Sequence, residues 1–410
     1  MEILNNQYYI NGISATELCN KYDTPVYVYD LDKIIQQYQR LETAFSHSKI
    51  KINYACKANS NLNILRKLAK EGSGLDTVSI QEVQLGLKAG FKPDDIIFTP
   101  NSVSLNEINQ AVNLGVRINI DNISILEQFG HQHEDRVPVG LRINPHILAG
   151  GNTKISTGHI DSKFGISIHQ LRHAERVVKA NNMHIEGLHM HTGSDILDVD
   201  VFIRAAEILF DMAFNFPELK YIDLGSGFKV AYKPNDISTD IEMLGEKLGN
   251  HFNEFCKEYG KDLTLMFEPG KFLVSEAGYF FARVNVIKQT TATVFAGLDT
   301  GFNHLIRPMF YDAYHQIVNV SQPGNNPRIY TVVGYICETD TFGWDRKIQE
   351  ISEGDILGFY NAGAYCYSMA SNYNSRLKPA EVIIYQGKDY LASKREEIDD
   401  LLKNYVEVEV

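Results

Sequence analysis

The chain carries its chemistry as single reactive side chains set where short apolar runs give way to polar loops. Lys57, in Tyr54-Ala55-Cys56-Lys57-Ala58-Asn59, ends one such run. A lysine there either caps a strand in solvent or, once its ammonium gives up a proton, forms an imine with an aldehyde. His189 and His191 stand two apart in Gly-Leu-His-Met-His-Thr-Gly-Ser, so on a strand both side chains project to one face. Such a pair can bind a metal, stack on a planar ring, or hydrogen-bond within a core. The metal reading needs ligands from other strand ends, for which Asp76 and Asp121 are available, although a lysine and an arginine nearby would crowd a cation. Gly225-Ser226-Gly227 lacks the third glycine of a dinucleotide fingerprint, yet its backbone N–H groups suit a phosphate, with the Ser194 hydroxyl as a further donor. Glu268, in Phe-Glu-Pro-Gly-Lys, is a carboxylate that is costly to bury unpaired and suited to keeping a ring nitrogen protonated. In Cys337-Glu338-Thr339-Asp340 the acidic neighbours favour the thiol, so Cys337 suits a proton donor better than a nucleophile.

Residues so far apart in sequence need a scaffold that gathers strand ends. After an opening Val26-Tyr27-Val28-Tyr29-Asp30, eight apolar runs begin at residues 51, 74, 96, 117, 139, 185, 221 and 264, separated by helix-like stretches that end in glycine. Eight βα units predict an α/β fold, a (β/α)8 TIM barrel over residues 26–276, with the chemistry on the rim at the C-terminal ends of the strands. Beyond residue 277 the alternating segments predict an antiparallel β domain, joined by residues 1–25, with a closing surface helix in Ser393–Tyr405. The Gly- and Thr-rich segment 146–163 reads as a lid.

The chain has 410 residues, 39 basic against 51 acidic for a formal net charge of -12, and 44% hydrophobic residues. That length suits two domains with full cores. The acidic balance argues against a nucleic-acid partner and leaves a small molecule as the expected one. No secretion signal and no apolar run long enough to span a bilayer is visible, so no membrane partner is expected. Five scattered cysteines without a C-x-x-C pair fit a reducing cytoplasm.

The strand-end lysine, His-x-His-x-Gly-Ser, the glycine turn and Glu-Pro-Gly before a β domain resemble the fold type III pyridoxal-phosphate decarboxylases, with their alanine racemase-like barrel. Ser162–Gly165 (SKFG), Gly301–His315, Cys337–Asp340 and Gly363–Asn374 extend the resemblance over nearly the whole chain, toward the branch acting on diaminopimelate. The resemblance implies pyridoxal 5'-phosphate as cofactor, linked through Lys57. His191 would lie on the ring face, Glu268 at the ring nitrogen, and Asp76 and Arg142 in support. Ser194, Gly225, Ser226, Gly227, Pro269, Gly270, Lys271 and Tyr365 would hold the phosphate. Lys271, Arg307, Tyr311, Glu338 and Tyr365 would hold an amino-acid substrate, and Cys337 would deliver the proton. It also implies conversion of meso-2,6-diaminopimelate to L-lysine and CO2 by a homodimer with shared active sites. Related decarboxylases of carboxynorspermidine or arginine, a barrel metallohydrolase, and a non-catalytic cofactor carrier are the alternatives. Three positions depart from the pattern: Lys271 where arginine is expected, Ser226 within the glycine turn, and Thr339 in place of serine.

Overall fold

The computed structural model describes residues 1–147 and 162–409. Two units emerge: Ile35–Val230 with Ile237–Leu273, and Met1–Ile34 with Ala231–Asp236 and Val274–Val410. Of the segment 146–163 expected to act as a lid, residues 148–161 lie outside the described residues.

The first unit is a closed ring of eight parallel strands: β1 (Ile50–Ala55), β2 (Gly74–Thr77), β3 (Ile96–Phe98), β4 (Arg117–Ile120), β5 (Val139–Asn144), β6 (Ile185–His189), β7 (Tyr221–Asp223) and β8 (Thr264–Phe267). Each pairs with the next, and β8 returns to β1 with Leu265 opposite Ile50. These are the eight runs expected from sequence. They are legible because a parallel strand is covered on both faces, and the residues of β2, β3 and β5 are all buried. The turns leaving the rim are set by short polar side chains. Ser79, Ser104 and Asn122 each accept the backbone N–H three residues on, starting the helices Ile80–Ala89, Leu105–Asn113 and Ile123–His133. Gly90, at φ 101°, stops the first of these.

In the second unit, residues 1–22 contribute short strands and a helix, Ala15–Tyr22, whose Leu18 and Cys19 share a core with Tyr8, Val26, Phe281 and Val382. The strand Val26–Asp30 pairs with Gly278–Phe281 on one side and Ala380–Ile384 on the other. It therefore belongs to this sheet, and the unit boundaries fall at residues 34/35 and 273/274 rather than at 25/26 and 276/277. The sheet is antiparallel at most pairings and parallel at two, Val26–Asp30 with Ala380–Ile384 and Phe295–Gly297 with Thr331–Val333. The closing helix is short, Ile398–Leu402, begun by reciprocal bonds between Glu397 and Asp400. Among the described residues no helix is long and apolar enough to cross a membrane.

Candidate active site

Lys57 sits in a single 3-10 turn, Cys56–Ala58, directly after β1. Its Nζ donates to Oδ2 of Asp76 at 2.8 Å, the aspartate standing on β2 in register with Ala55. The lysine side chain is 42% exposed while that of Asp76 is 1% exposed, so the amine faces outward over a buried carboxyl. Burial, and then the charge of Glu268, push the Asp76 pKa up against the pull of Lys57.

Across three neighbouring strands Arg142 (β5), His189 (β6) and Asp223 (β7) stand in register, and so share one face of the sheet. Nε2 of His189 lies 3.1 Å from Oε2 of Glu268, which follows β8, and both side chains are buried. Polar atoms of His189, Asp223 and Glu268 lie within 4.8 Å of one another. Burial alone would raise Glu268; the charge and hydrogen bond of His189, with Lys57 and His191, outweigh it and hold the carboxyl at about 2. Asp223 is pushed well above the carboxylate range by burial and by Glu268. The two adjacent buried carboxyls are thus driven in opposite directions, Glu268 toward the anion and Asp223 toward the acid. Arg142 is also buried, with its guanidinium 4.8 Å from the Phe164 ring centroid.

His191 lies just beyond β6, where burial and then the charges of Arg142 and Lys57 lower its pKa to about 3. The neutral ring accepts the Ser226 N–H at Nδ1, at 3.3 Å. The glycine turn is pressed against this segment. A Cβ on Gly225 would come within 2.7 Å of His191 Nδ1 and of the Met190 carbonyl, and one on Gly227 within 2.4 Å of the Gly193 carbonyl. Both glycines have positive φ, +62° and +125°. Pro269 accepts the Ala55 N–H at 3.2 Å, and Lys271 is bonded through Nζ to Asp195 at 2.5 Å, beside the half-buried Ser194. Asp121 is bonded by the side chains of Asn101 and Asn122, and it is His189 alone of the two histidines that groups with carboxyls, those of Glu268 and Asp223.

The remaining expected residues belong to the other unit. Arg307 opens the helix Arg307–Tyr311, is buried, and donates from Nη1 to the Tyr232 hydroxyl at 3.0 Å and the Ala364 carbonyl at 3.1 Å. Tyr365 follows, with φ 57°. Tyr311 is half-buried against Phe310, with ring centroids 4.6 Å apart. Cys337 is exposed, its Sγ accepting from Asn374 Nδ2 at 3.4 Å, and Glu338 accepts from the Tyr373 hydroxyl. Asp340 pins this loop by accepting the N–H groups of Phe302 at 2.7 Å and Ile336 at 2.9 Å. The segments 301–315, 337–340 and 363–374 are thereby linked within one unit.

Sequence reasoning does not single out Asp223, Asp195 or Tyr232, nor the bond of His189 to Glu268. Asp223 ends a strand as Asp76 does, and that position is the signal that finds it. Asp195 and Tyr232 lie in irregular segments and carry no such signal.

A family model described as pyridoxal-dependent decarboxylase, pyridoxal binding domain, matches residues 31–275. A diaminopimelate decarboxylase of Methanothermobacter thermautotrophicus is 40% identical over 404 residues, covering 96% of this chain and 94% of that protein. Another, from Campylobacter jejuni, is 35% identical over 395 residues, covering 94% and 96%. The crystal structure of diaminopimelate decarboxylase from Helicobacter pylori complexed with L-lysine is similar at a TM-score of 0.87 and 34% identity, covering 95% of this chain and 98% of that one.

Proposed function

The chain belongs to the diaminopimelate decarboxylases, pyridoxal-dependent enzymes, and from that premise we propose that it releases CO2 from meso-2,6-diaminopimelate to leave L-lysine. The observation that carries the reading is a single barrel rim uniting an amine, an anionic buried carboxylate, a neutral imidazole and a glycine cradle. The fit to the cofactor is chemical. Glu268 Oε1 and Asp76 Oδ1 are buried without a hydrogen-bond partner among the described residues, and a cradle that any Cβ would fill suits a phosphate.

Lys57 would hold the cofactor aldehyde, Glu268 its ring nitrogen and His191 its ring face, with Asp76 and Arg142 in support. Ser194, the turn Gly225–Gly227, Pro269–Lys271 and Tyr365 would hold its phosphate. When bound, pyridoxal phosphate supplies a sink for the electrons left on the α carbon as CO2 departs. The chain's own part is electrostatic. A Glu268 held at about 2 stays ionised at neutral pH and would keep a proton on a ring nitrogen bound beside it. His191, neutral, covers a ring without adding charge. The planar Arg307 fork suits a substrate carboxylate, with Tyr311 and Lys271, while Glu338 suits a distal ammonium. Cys337 delivers the proton to the α carbon, serving the barrel of a second copy in a cytoplasmic homodimer.

The test measures CO2 release from diaminopimelate, ornithine, arginine and carboxynorspermidine, with and without added cofactor. Turnover of diaminopimelate alone, together with a yellow protein that borohydride bleaches and labels at Lys57, is the expected result. A colourless protein inactivated by chelators would favour the metallohydrolase reading. Mixing Lys57→Ala with Cys337→Ala restores partial activity if sites are shared; a fully active monomer by light scattering refutes sharing.

A further inference from the structure

We propose that Asp223 is a positioning residue, a buried carboxylic acid that locks the glycine turn to Glu268 and fixes the orientation of the Glu268 carboxylate. The proposal rests on the reading above, in which Glu268 serves the ring nitrogen and the turn serves the phosphate.

The geometry is a closed circuit. Asp223 ends β7 and is fully buried. Its Oδ1 accepts the Gly225 N–H at 2.8 Å, and the Gly225 carbonyl accepts the Glu268 N–H at 2.6 Å. A carboxyl oxygen of Asp223 then lies within 4.8 Å of the Glu268 carboxylate and of His189, and a side-chain hydrogen bond with Glu268 is among the causes that raise the Asp223 pKa, which links the two carboxyls. Asp223 Oδ2 has no donor among the described residues, so nothing else there stabilises a second anion.

Two carboxylates buried this close do not both ionise. His189 bonds Glu268 from one side, and the charge of Lys57 also favours Glu268 as the anion, whereas burial and the Glu268 charge keep the proton on Asp223. Asp76 adds to the pressure on Asp223. The acid O–H can then donate to Glu268 while the other oxygen holds the turn. A bare Asp223 anion would repel Glu268 and release the circuit. The phosphate-facing turn and the ring-facing carboxylate therefore move as one piece, although they come from different strand ends.

The test compares Asp223→Asn and Asp223→Ala with the wild type. In cofactor-free protein at neutral pH, infrared difference spectra should show the carbonyl band of a buried protonated carboxyl that Asp223→Asn removes. Asparagine keeps an acceptor for the Gly225 N–H and an N–H donor for Glu268. Its affinity for pyridoxal phosphate, titrated by absorbance, should stay within about threefold of wild type, and the pH profile of the lysine-bound absorbance should not move. Alanine loses both bonds and should bind about tenfold to a hundredfold more weakly. Asp223→Asn binding as poorly as Asp223→Ala, Asp223→Ala binding like wild type, or the absence of the carbonyl band would each overturn the proposal. If Asp223→Ala does not fold, the band and the asparagine variant decide. A wild-type protein that takes up no pyridoxal phosphate would instead overturn the functional reading.

Discussion

Replacing Gly227 with alanine isolates what the glycine turn contributes. The residue has φ +125°, and a Cβ there would stand 2.4 Å from the Gly193 carbonyl and 3.0 Å from Ile196 Cδ1. Gly260 is the matching control: its φ is +80°, yet a Cβ meets nothing within 4 Å. An L-residue forced into positive φ costs roughly 1–2 kcal/mol at either site. Only at Gly227 must a backbone carbonyl also retreat, and overpacking of that kind adds roughly 1–3 kcal/mol. Gly227→Ala should therefore lose about 2–5 kcal/mol in total and Gly260→Ala about 1–2 kcal/mol. Urea unfolding of the cofactor-free proteins, followed by circular dichroism, measures both. Absorbance titration should show weakened cofactor binding in Gly227→Ala alone. Equal unfolding midpoints for the two variants would refute the argument that the turn is built against the Met190–Ser194 segment.

Three further outcomes are expected. His304 is buried with Nδ1 accepting from the Thr300 hydroxyl at 2.9 Å and Nε2 donating to the Leu377 carbonyl at 3.0 Å, and burial lowers its pKa from 6.5 to about 4. The unfolded chain binds the extra proton, so stability is complete above pH 6.5 and falls as pH drops toward 4, by about 3 kcal/mol. His304→Gln should flatten that window in pH-dependent denaturation; an unchanged slope contradicts the assignment. Tyr373→Phe removes the hydroxyl that Glu338 accepts and should raise KM for diaminopimelate about threefold to tenfold with kcat nearly unchanged, and a fall in kcat alone would count against Glu338 as a substrate contact. Cys337→Ala should lower kcat at constant KM and divert product toward transamination, which chromatography of the products resolves; undiminished lysine formation would remove Cys337 from proton delivery.

The barrel is legible because its strands are apolar on both faces, and the same cause misplaces Val26–Asp30. That strand is covered on both sides in the other sheet, so its composition matches a barrel strand. Alternation places His189 and His191 on one strand face, but β6 ends at His189 and the two rings take different partners, Glu268 and the Ser226 N–H. Lys271 was legible as a cation and not as the partner of Asp195, since that pair joins segments 76 residues apart. The strands Val294–Leu298 and Thr341–Gln349 escape notice because threonine, glycine and charged residues interrupt their alternation. The closing helix is shorter than its charge pattern suggests, because it has no buried face to extend it.

The place of Val26–Asp30 dictates an order of events during synthesis. Its two neighbours in the sheet are made about 250 and 350 residues later, at Gly278–Phe281 and Ala380–Ile384. Every barrel strand, from residue 50 to residue 267, leaves the ribosome inside that interval. The ring can close while the first long strand of the chain still waits for partners. A nascent chain that stops before residue 380 presents Val-Tyr-Val-Tyr with one edge unpaired, a ready template for another strand. The strand Ala380–Ile384 therefore acts as the seal on Val26–Asp30.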